Sequence, residues 1–407
     1  MYRTENDVLD FVRENDVKFV RLAFCDVFGV QKNISIMASE LSRAFKVGVS
    51  FDASAIEGFG AEEKSDLFLF PDLSTLAILP WRPAHGRVIR FFCDIRYPDG
   101  NPFELDCRNL LKETVAKVRD EGYSCHMGSE CEFYLFKTGE KGEPTKEPLD
   151  NGSYMDTAPM DKGENVRREI CLTLEEMGIS VESSHHEEGP GQNEIGFRYS
   201  GALSSADDVT TYKFVVRTIA ERNGLYASFD PKPLKNSAGN GMHINMSLSK
   251  IGESAMSQEL EYSFMAGILE HIEGITAFLN PTVESYERLG SFKAPKYVTW
   301  SPENRSQLVR IPAATGEYSR IELRSPDCMA NPYIAYTLLL EAGLDGLKRG
   351  LIPPPPQNIN IFTAPEAVLK GLRRLPDSLS KAMALAEKSE LVKTALNRKI
   401  IDAYKFR

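Results

Sequence analysis

Glu130 and Glu132 stand one residue apart in Gly128-Ser-Glu-Cys-Glu-Phe-Tyr-Leu-Phe136, a run that reads as a strand. Residues two apart on a strand point to the same face. Two carboxylates held side by side among Phe133, Tyr134, Leu135 and Phe136 repel each other once water is withdrawn, so a positive charge belongs between them. A hard divalent cation meets that need. An edge strand with one solvated face is the plain alternative, and it weakens because three other segments repeat the same residue types.

Within Val181–Tyr199, Gly189-Pro190-Gly191 separates two β-like runs and reads as a hairpin turn that brings Glu187 near Glu194. His185 and His186 precede it. Neighbours on a strand face opposite ways, so at most one shares a face with Glu187, and both are read as supporting residues, not ligands. In Gly239–Leu248, Met242, Ile244, Met246 and Leu248 alternate with His243, Asn245 and Ser247, which makes one face apolar and the other chemical. Ser319–Arg324 puts Arg320, Glu322 and Arg324 on one strand face, and Asn304–Pro312 adds Arg305 and Arg310. A surface ion-pair ladder would use the same residues. Arginine, however, suits bidentate recognition of phosphate and carboxylate, and a chain of net charge -10 that gathers four arginines in one span points to an anion there.

Carboxylates with one imidazole suit Mg²⁺ or Mn²⁺, and an arginine cluster suits phosphates and a substrate carboxylate. Phosphoryl transfer uses both, because its transition state is stabilised by positioning and positive charge. The sequence has no Gly-x-x-x-x-Gly-Lys-Ser/Thr and no Gly-x-Gly-x-x-Gly opening a helix. A nucleotide would therefore be held without a P-loop.

These segments, with Asp52-Ala-Ser-Ala-Ile-Glu-Gly-Phe59, Lys64-Ser-Asp66, Pro71-Asp-Leu-Ser-Thr75 and Asn331-Pro-Tyr333, follow an order that resembles glutamine synthetase along nearly the whole chain. The resemblance implies an α+β fold: a small β-grasp-like N-terminal domain over 1–100, and a larger catalytic domain over 103–407 whose curved antiparallel sheet is backed by helices. It implies an ATP-dependent ligase that phosphorylates the γ-carboxylate of L-glutamate and lets ammonia displace the phosphate, giving L-glutamine, ADP and phosphate. Two or more Mg²⁺ or Mn²⁺ ions serve each active site of that family. By position, Glu132, Glu187 and Glu194 resemble the ligands of one ion, and Glu130, His243 and Glu322 those of a second. Arg310 and Arg320 match residues that serve ATP, and Arg305 the residue at the transferring phosphoryl group. Arg288, Arg324 and Gly239 match the glutamate site. Glu182 and Tyr199 fall where the family contacts adenosine, with Asn245 and Ser247, on the His243 face, also on the nucleotide side. Asp52 matches an acidic residue lent by a neighbouring subunit to the ammonium pocket, so the resemblance implies a homo-oligomeric ring with active sites between adjacent chains.

The chain departs from the family on the acceptor side. Where a catalytic glutamate ends a mobile flap as Glu-Ala-Pro, this chain has Ser291-Phe-Lys-Ala-Pro295, which reverses the charge at Lys293. A desolvated lysine can act as a base, and Lys293 is the candidate here. Ala238 replaces an asparagine of the glutamate loop, Asn245 a second histidine, and Ala53 and Ala55 a glycine and a serine. The leading expectation is a glutamine synthetase whose base has moved. A glutamate–amine ligase for a larger amine, of the γ-glutamyl-polyamine type, is the alternative; a non-catalytic paralogue is a third, and the six retained ligand positions argue against it. Gln357-Asn-Ile-Asn-Ile-Phe362 lacks the tyrosine that some relatives have adenylylated, and the ending Ile401–Arg407 is shorter than the helical tail that joins two rings in relatives.

The elements that must position these residues are partly legible. The length of 407 residues suits two domains, since single cores stop growing near about 250–300 residues. A helix is expected near 4–15, strands near 18–24, 30–36 and 88–94, and a linker at Pro98–Pro102. Asp106 can cap a helix to about 120, and helices follow near 162–178, 206–223, 257–277, 331–348 and 377–404. The acidic balance argues against nucleic acid and gives no reason to expect a membrane surface. Seven cysteines without Cys-x-x-Cys spacing, and an N-terminus without a basic and apolar leader, fit a reducing cytoplasm.

Overall fold

The structure, a computed structural model, describes residues 4–60 and 65–405; Lys64 of the Lys64-Ser-Asp66 motif lies outside the described residues. Thr4 caps the first helix, Glu5–Glu14, through a capping box with Asp7. The strand Val17–Cys25 follows and is central to a six-stranded sheet, parallel to Arg87–Arg96 and antiparallel to Gln31–Met37. Asp26 turns the chain between them by accepting from Phe28 N and Val30 N. Three short strands, Val49–Asp52, Asp66–Pro71 and Ala77–Ile78, and the helix Leu41–Val47 complete this layer. None of them carries a period long enough to read from sequence.

The expected linker is a fastened turn. Tyr97 N donates to Asn101 O and Gly100 N to Tyr97 O. Asp106 caps the helix Cys107–Asp120 with one carboxylate oxygen, accepting from Arg108 N at 3.0 Å and Asn109 N at 3.2 Å. Its other oxygen accepts from Ile95 N in the small sheet at 2.9 Å. Beside it, the buried Arg108 guanidinium pairs with Asp72 at 2.9 Å, Asp94 at 3.2 Å and Asp207 at 2.9 Å, which ties the small sheet to the helix Ala202–Arg222 of the larger layer.

The larger sheet has ten strands built around the sixteen-residue strand Tyr123–Thr138. On one side of it lie Met242–Lys250, Ile321–Leu323, Val309–Ile311 and Trp300–Pro302; on the other lie Gln192–Phe197 and Val181–His186. All neighbours are antiparallel except the last pair on the first side. One face is covered by helices, including Gln258–Leu279 and Pro332–Arg349, which meet at glycines: a Cβ on Gly267 would come within 2.1 Å of Ala342 O. Leu, Ile, Val and aromatic side chains of sheet and helices merge in one buried core. The other face carries the chemistry.

The single helix expected over 377–404 is three helices, Leu379–Ala386, Glu390–Ala395 and Arg398–Lys405. The physical reason is local capping. Ser389 accepts from Val392 N, and Asn397 Oδ1 accepts from Lys399 N at 2.9 Å, so each starts a new helix inside the expected span.

Candidate active site

Strand register assembles the site. His243 stands opposite Glu130, Glu194 opposite Glu132, His185 opposite Glu194, and Asn245 and Arg310 both opposite Glu322. Directly paired residues share a face, so six adjacent strands deliver their polar residues to one surface while Cys131, Met242 and Ile244 enter the core behind it. Gly189–Gly191 forms the expected hairpin turn, closed by Gln192 N donating to Gly189 O, and brings Glu187 to the same surface.

Two acidic clusters result. In the first, ligand atoms of His185, Glu187 and Glu194 all lie within 4.8 Å of one another, with Glu132 beside them. Glu132 is held by Gly241 N at 2.7 Å and Gln192 Nε2 at 3.1 Å. Burial, then the charges of Glu132 and Glu194, pushes Glu187 up to about 8. Glu132 is raised too, again by burial first. In the second, His243 Nδ1 lies 3.4 Å from Glu130 and 3.6 Å from Glu322. Burial works against ionising Glu130, but the bond and charge of His243, with Asn245 and Arg320, hold it down at about 2. Glu322 is 1% exposed, paired with Arg310 and 3.4 Å from Arg324 Nε. Its Oε1 is nonetheless buried without a hydrogen-bond partner. A buried carboxylate oxygen left without a donor, beside an imidazole and a second carboxylate, fits a hard cation.

Between the clusters and a group of arginines lies a cavity of about 280 Å³. Arg288, Arg305, Arg324 and Gly239 line it with Glu130, Glu132, Glu187, Glu194 and His243. Arg288 is 2% exposed and held by Ser325 O at 2.7 Å, with its Nε buried and unpartnered. Gly239 has no room for a side chain, since a Cβ would meet Pro231 O at 2.2 Å. Across the Met242–Lys250 strand a narrower cleft is lined by Tyr199, Asn245, Ser247 and Arg320, together with His126 and Tyr318. Arg320 Nε donates to Asn245 Oδ1 at 3.0 Å, and Asn245 Nδ2 to Glu130 Oε1 at 2.9 Å, so the cleft and the second cluster share a hydrogen-bonded chain.

Two expected residues stand outside the cavity, and a third lines it from an exposed position. Asp52 is exposed, accepts from Ser54 N and Oγ, which lowers its pKa, and does not line the cavity within one chain. Glu182 is exposed, 3.7 Å from Arg198, and lines neither the cavity nor the cleft. Lys293 does line the cavity, with its side chain 63% exposed and ion-paired with Glu188.

Sequence reading treats both histidines as supporting residues, and the structure places them on opposite faces. His186 is fully buried and 2.9 Å from Asp150. His185 turns the other way, 3.3 Å from Glu194 and 3.6 Å from Glu187, and the Glu194 bond first of all raises it to about 9. The parity of His185 with Glu187 was the available signal. Gln192, two residues before Glu194, and Glu188, on the turn, were missed.

Comparison with known proteins adds the family. A model of the glutamine synthetase beta-Grasp domain matches residues 16–98, and one of the glutamine synthetase catalytic domain matches 104–406. The chain belongs to the glutamine synthetase family. It is 46% identical to the glutamine synthetase of Clostridium saccharobutylicum, over 98% of this chain and 93% of that one, and 46% identical to that of Methanosarcina mazei, over 98% and 92%. Among solved structures, a GmaS–ADP complex matches with a TM-score of 0.89 at 30% identity, covering 98% of this chain and 94% of that one. Plasmodium falciparum glutamine synthetase, seen by cryo-electron microscopy, matches with 0.86 at 25% identity, covering 100% and 95%. As a glutamine synthetase-type protein it is an ATP-dependent ligase, with a β-grasp domain followed by a curved, largely antiparallel sheet backed by helices. Among the described residues no helix is long and apolar enough to cross a membrane.

Proposed function

We propose that the protein joins ammonia to the γ-carboxylate of L-glutamate with ATP, through γ-glutamyl phosphate, and releases L-glutamine, ADP and phosphate. The observation that carries this reading is the convergence of Glu130, Glu132, Glu187, Glu194, His243 and Glu322 on one sheet face beside the Arg288, Arg305 and Arg324 cavity. The two clusters would hold Mg²⁺ or Mn²⁺, which would supply positive charge for phosphate oxygens. Arg288 and Arg324 hold the glutamate carboxylates against the backbone of Gly239, Arg310 and Arg320 hold ATP phosphates, and Arg305 stabilises charge on the transferring group. Tyr199 offers a ring to adenine in the cleft that Asn245 and Ser247 also line.

Ammonium must be gathered and deprotonated before it attacks. Asp52 does this from a neighbouring subunit, which is why it is exposed on the edge strand Val49–Asp52 of its own chain. Exposed Phe19, Ile34, Met37 and Val47 on the same small domain support its burial against another copy in a homo-oligomer. Seven free cysteines, six of them buried, support a reducing cytoplasmic setting.

A glutamate–amine ligase for a larger amine is the second reading, favoured by Lys293 and Ala238 on the acceptor side and by the likeness to GmaS. ATP-dependent phosphate release with glutamate, measured against ammonia, hydroxylamine, alkylamines and polyamines, separates the two. Release that depends on ammonia is the expected outcome; release with larger amines alone transfers the assignment to the second reading.

A further inference from the structure

Loop Ser291–Pro295 crosses the mouth of the cavity and is pinned from both sides. On one side Lys232 Nζ donates to Ser291 Oγ at 3.3 Å and lies 4.3 Å from the centre of the Phe292 ring. On the other, Lys293 forms an ion pair with Glu188, and its Nζ lies 5.8 Å from the centre of the Tyr154 ring. Between these contacts Phe292 has a φ of 52°. Left-handed backbone is disfavoured for a bulky aromatic residue, and it persists where surrounding contacts hold it. Glu188, Tyr154, Phe292 and Lys293 all face the cavity.

The partner of Lys293 matters as much as the bond. Glu188 follows Glu187 directly on the hairpin turn, and Glu188 N donates to Glu187 Oε2 at 3.1 Å. The loop is therefore tied to the same turn that presents a carboxylate of the first cluster. The opposite charges also cancel at the mouth, so a cationic acceptor does not meet the uncompensated lysine that the sequence alone suggests.

We propose that Glu188 and Lys293 form a latch, a cross-mouth ion pair that holds loop 291–295 closed over the acceptor side and makes Lys293 a positioning residue. This rests on the reaction proposed above. With the latch closed, the amine nitrogen attacks the acyl carbon and the bond from that carbon to the phosphate oxygen breaks. With it open, water attacks the same carbon, the same bond breaks, and glutamate and phosphate are released without amide. The latch thus sets how much ATP is turned over per amide formed. Lys293→Glu alone is not a simple restoration of the family's flap charge, because it would face Glu188 and push the loop open.

The test is a charge-swap series on the full chain: parent, Glu188→Lys, Lys293→Glu, and the two combined. Each is measured for hydrogen exchange of the 289–296 amides and for the ratio of ADP to amide formed. Each single change is expected to speed exchange and raise the ratio by about two- to fivefold, the range a partly exposed ion pair allows. The swapped pair is expected to return both toward the parent. Glu188→Gln and Lys293→Met serve in the same way should a reversed charge prevent folding. Unchanged exchange in the singles, or losses that add in the combined variant, overturns the latch. A parent that makes no amide with any acceptor overturns the proposed reaction instead, while the exchange series still decides the latch.

Discussion

Glu130, His243, Glu194 and Glu322 sit on strands whose partners fix them in register, whereas Glu188, Ala238 and Lys293 sit on a turn and on loops. The first group is buried to mid-depth, hydrogen-bonded and crossed by arginine; the second borders the opening, with Lys293 mostly exposed. A strand site resists change because moving one residue by a single position turns the whole strand to its other face. A loop can exchange one charge for another without disturbing the sheet. Two departures from the family pattern, Lys293 and Ala238, fall on the side where exchange is tolerated and a third, Asn245, on a strand, while five of the six candidate ligands are held by register and Glu187 follows the end of its strand.

Four variants or conditions sharpen that contrast. Glu322→Gln keeps the shape but removes the buried charge between Arg310 and Arg324, and ATP- and glutamate-dependent phosphate release is expected to fall by about 10²–10³-fold. A loss under tenfold would place Glu322 outside the reacting centre. Arg108→Met leaves Asp72, Asp94 and Asp207 without their shared partner, at about 3–5 kcal/mol by urea unfolding. If the midpoint hardly moves, the joint between the two sheets is held by something else.

The third contrast is in pH. Glu187 is held at about 8, against an ordinary 4.5. A raised carboxyl pKa contributes stability below its unfolded value that is lost as pH rises through the folded one. Below about pH 8 a cation must displace that proton, and above it the ionised carboxylates repel until a cation enters. Apparent Mg²⁺ affinity, and the rise in Tm on adding Mg²⁺, should therefore both be larger at about pH 8.5 than at about pH 6.5. Equal effects at the two would mean that Glu187 is not at the cation. Smallest is Tyr199→Ala, expected to raise the KM for ATP by about tenfold or less with kcat held, since an exposed ring stacks without taking part in transfer. A fall in kcat instead would put Tyr199 nearer the phosphates.

The legibility of the molecule follows the same division. Alternation made the faces of Met242–Leu248 and Arg320–Arg324 readable, and Asp106 announced its helix, because period and cap are local properties. Two adjacent histidines leave parity undecided until the strand has a partner, and Glu194 is that partner for His185. Glu188 was passed over because its role depends on Lys293, more than a hundred positions away on another loop. The strands Val49–Asp52 and Ala77–Ile78 are too short to show a period, and they exist because Asp66–Pro71 and Arg87–Arg96 offer them edges. Ser389 reads in the sequence as one more residue of a long helix, whereas its side chain caps the next one.

The central claim is that two cations are held by separate sets of side chains on one sheet face. Isothermal titration of Mg²⁺ or Mn²⁺ into the parent and into Glu322→Gln and Glu187→Gln tests it most directly. The account predicts two ions per chain in the parent and selective weakening of one binding event in each variant. No cation uptake by the parent, or one event lost alike in both variants, would contradict it.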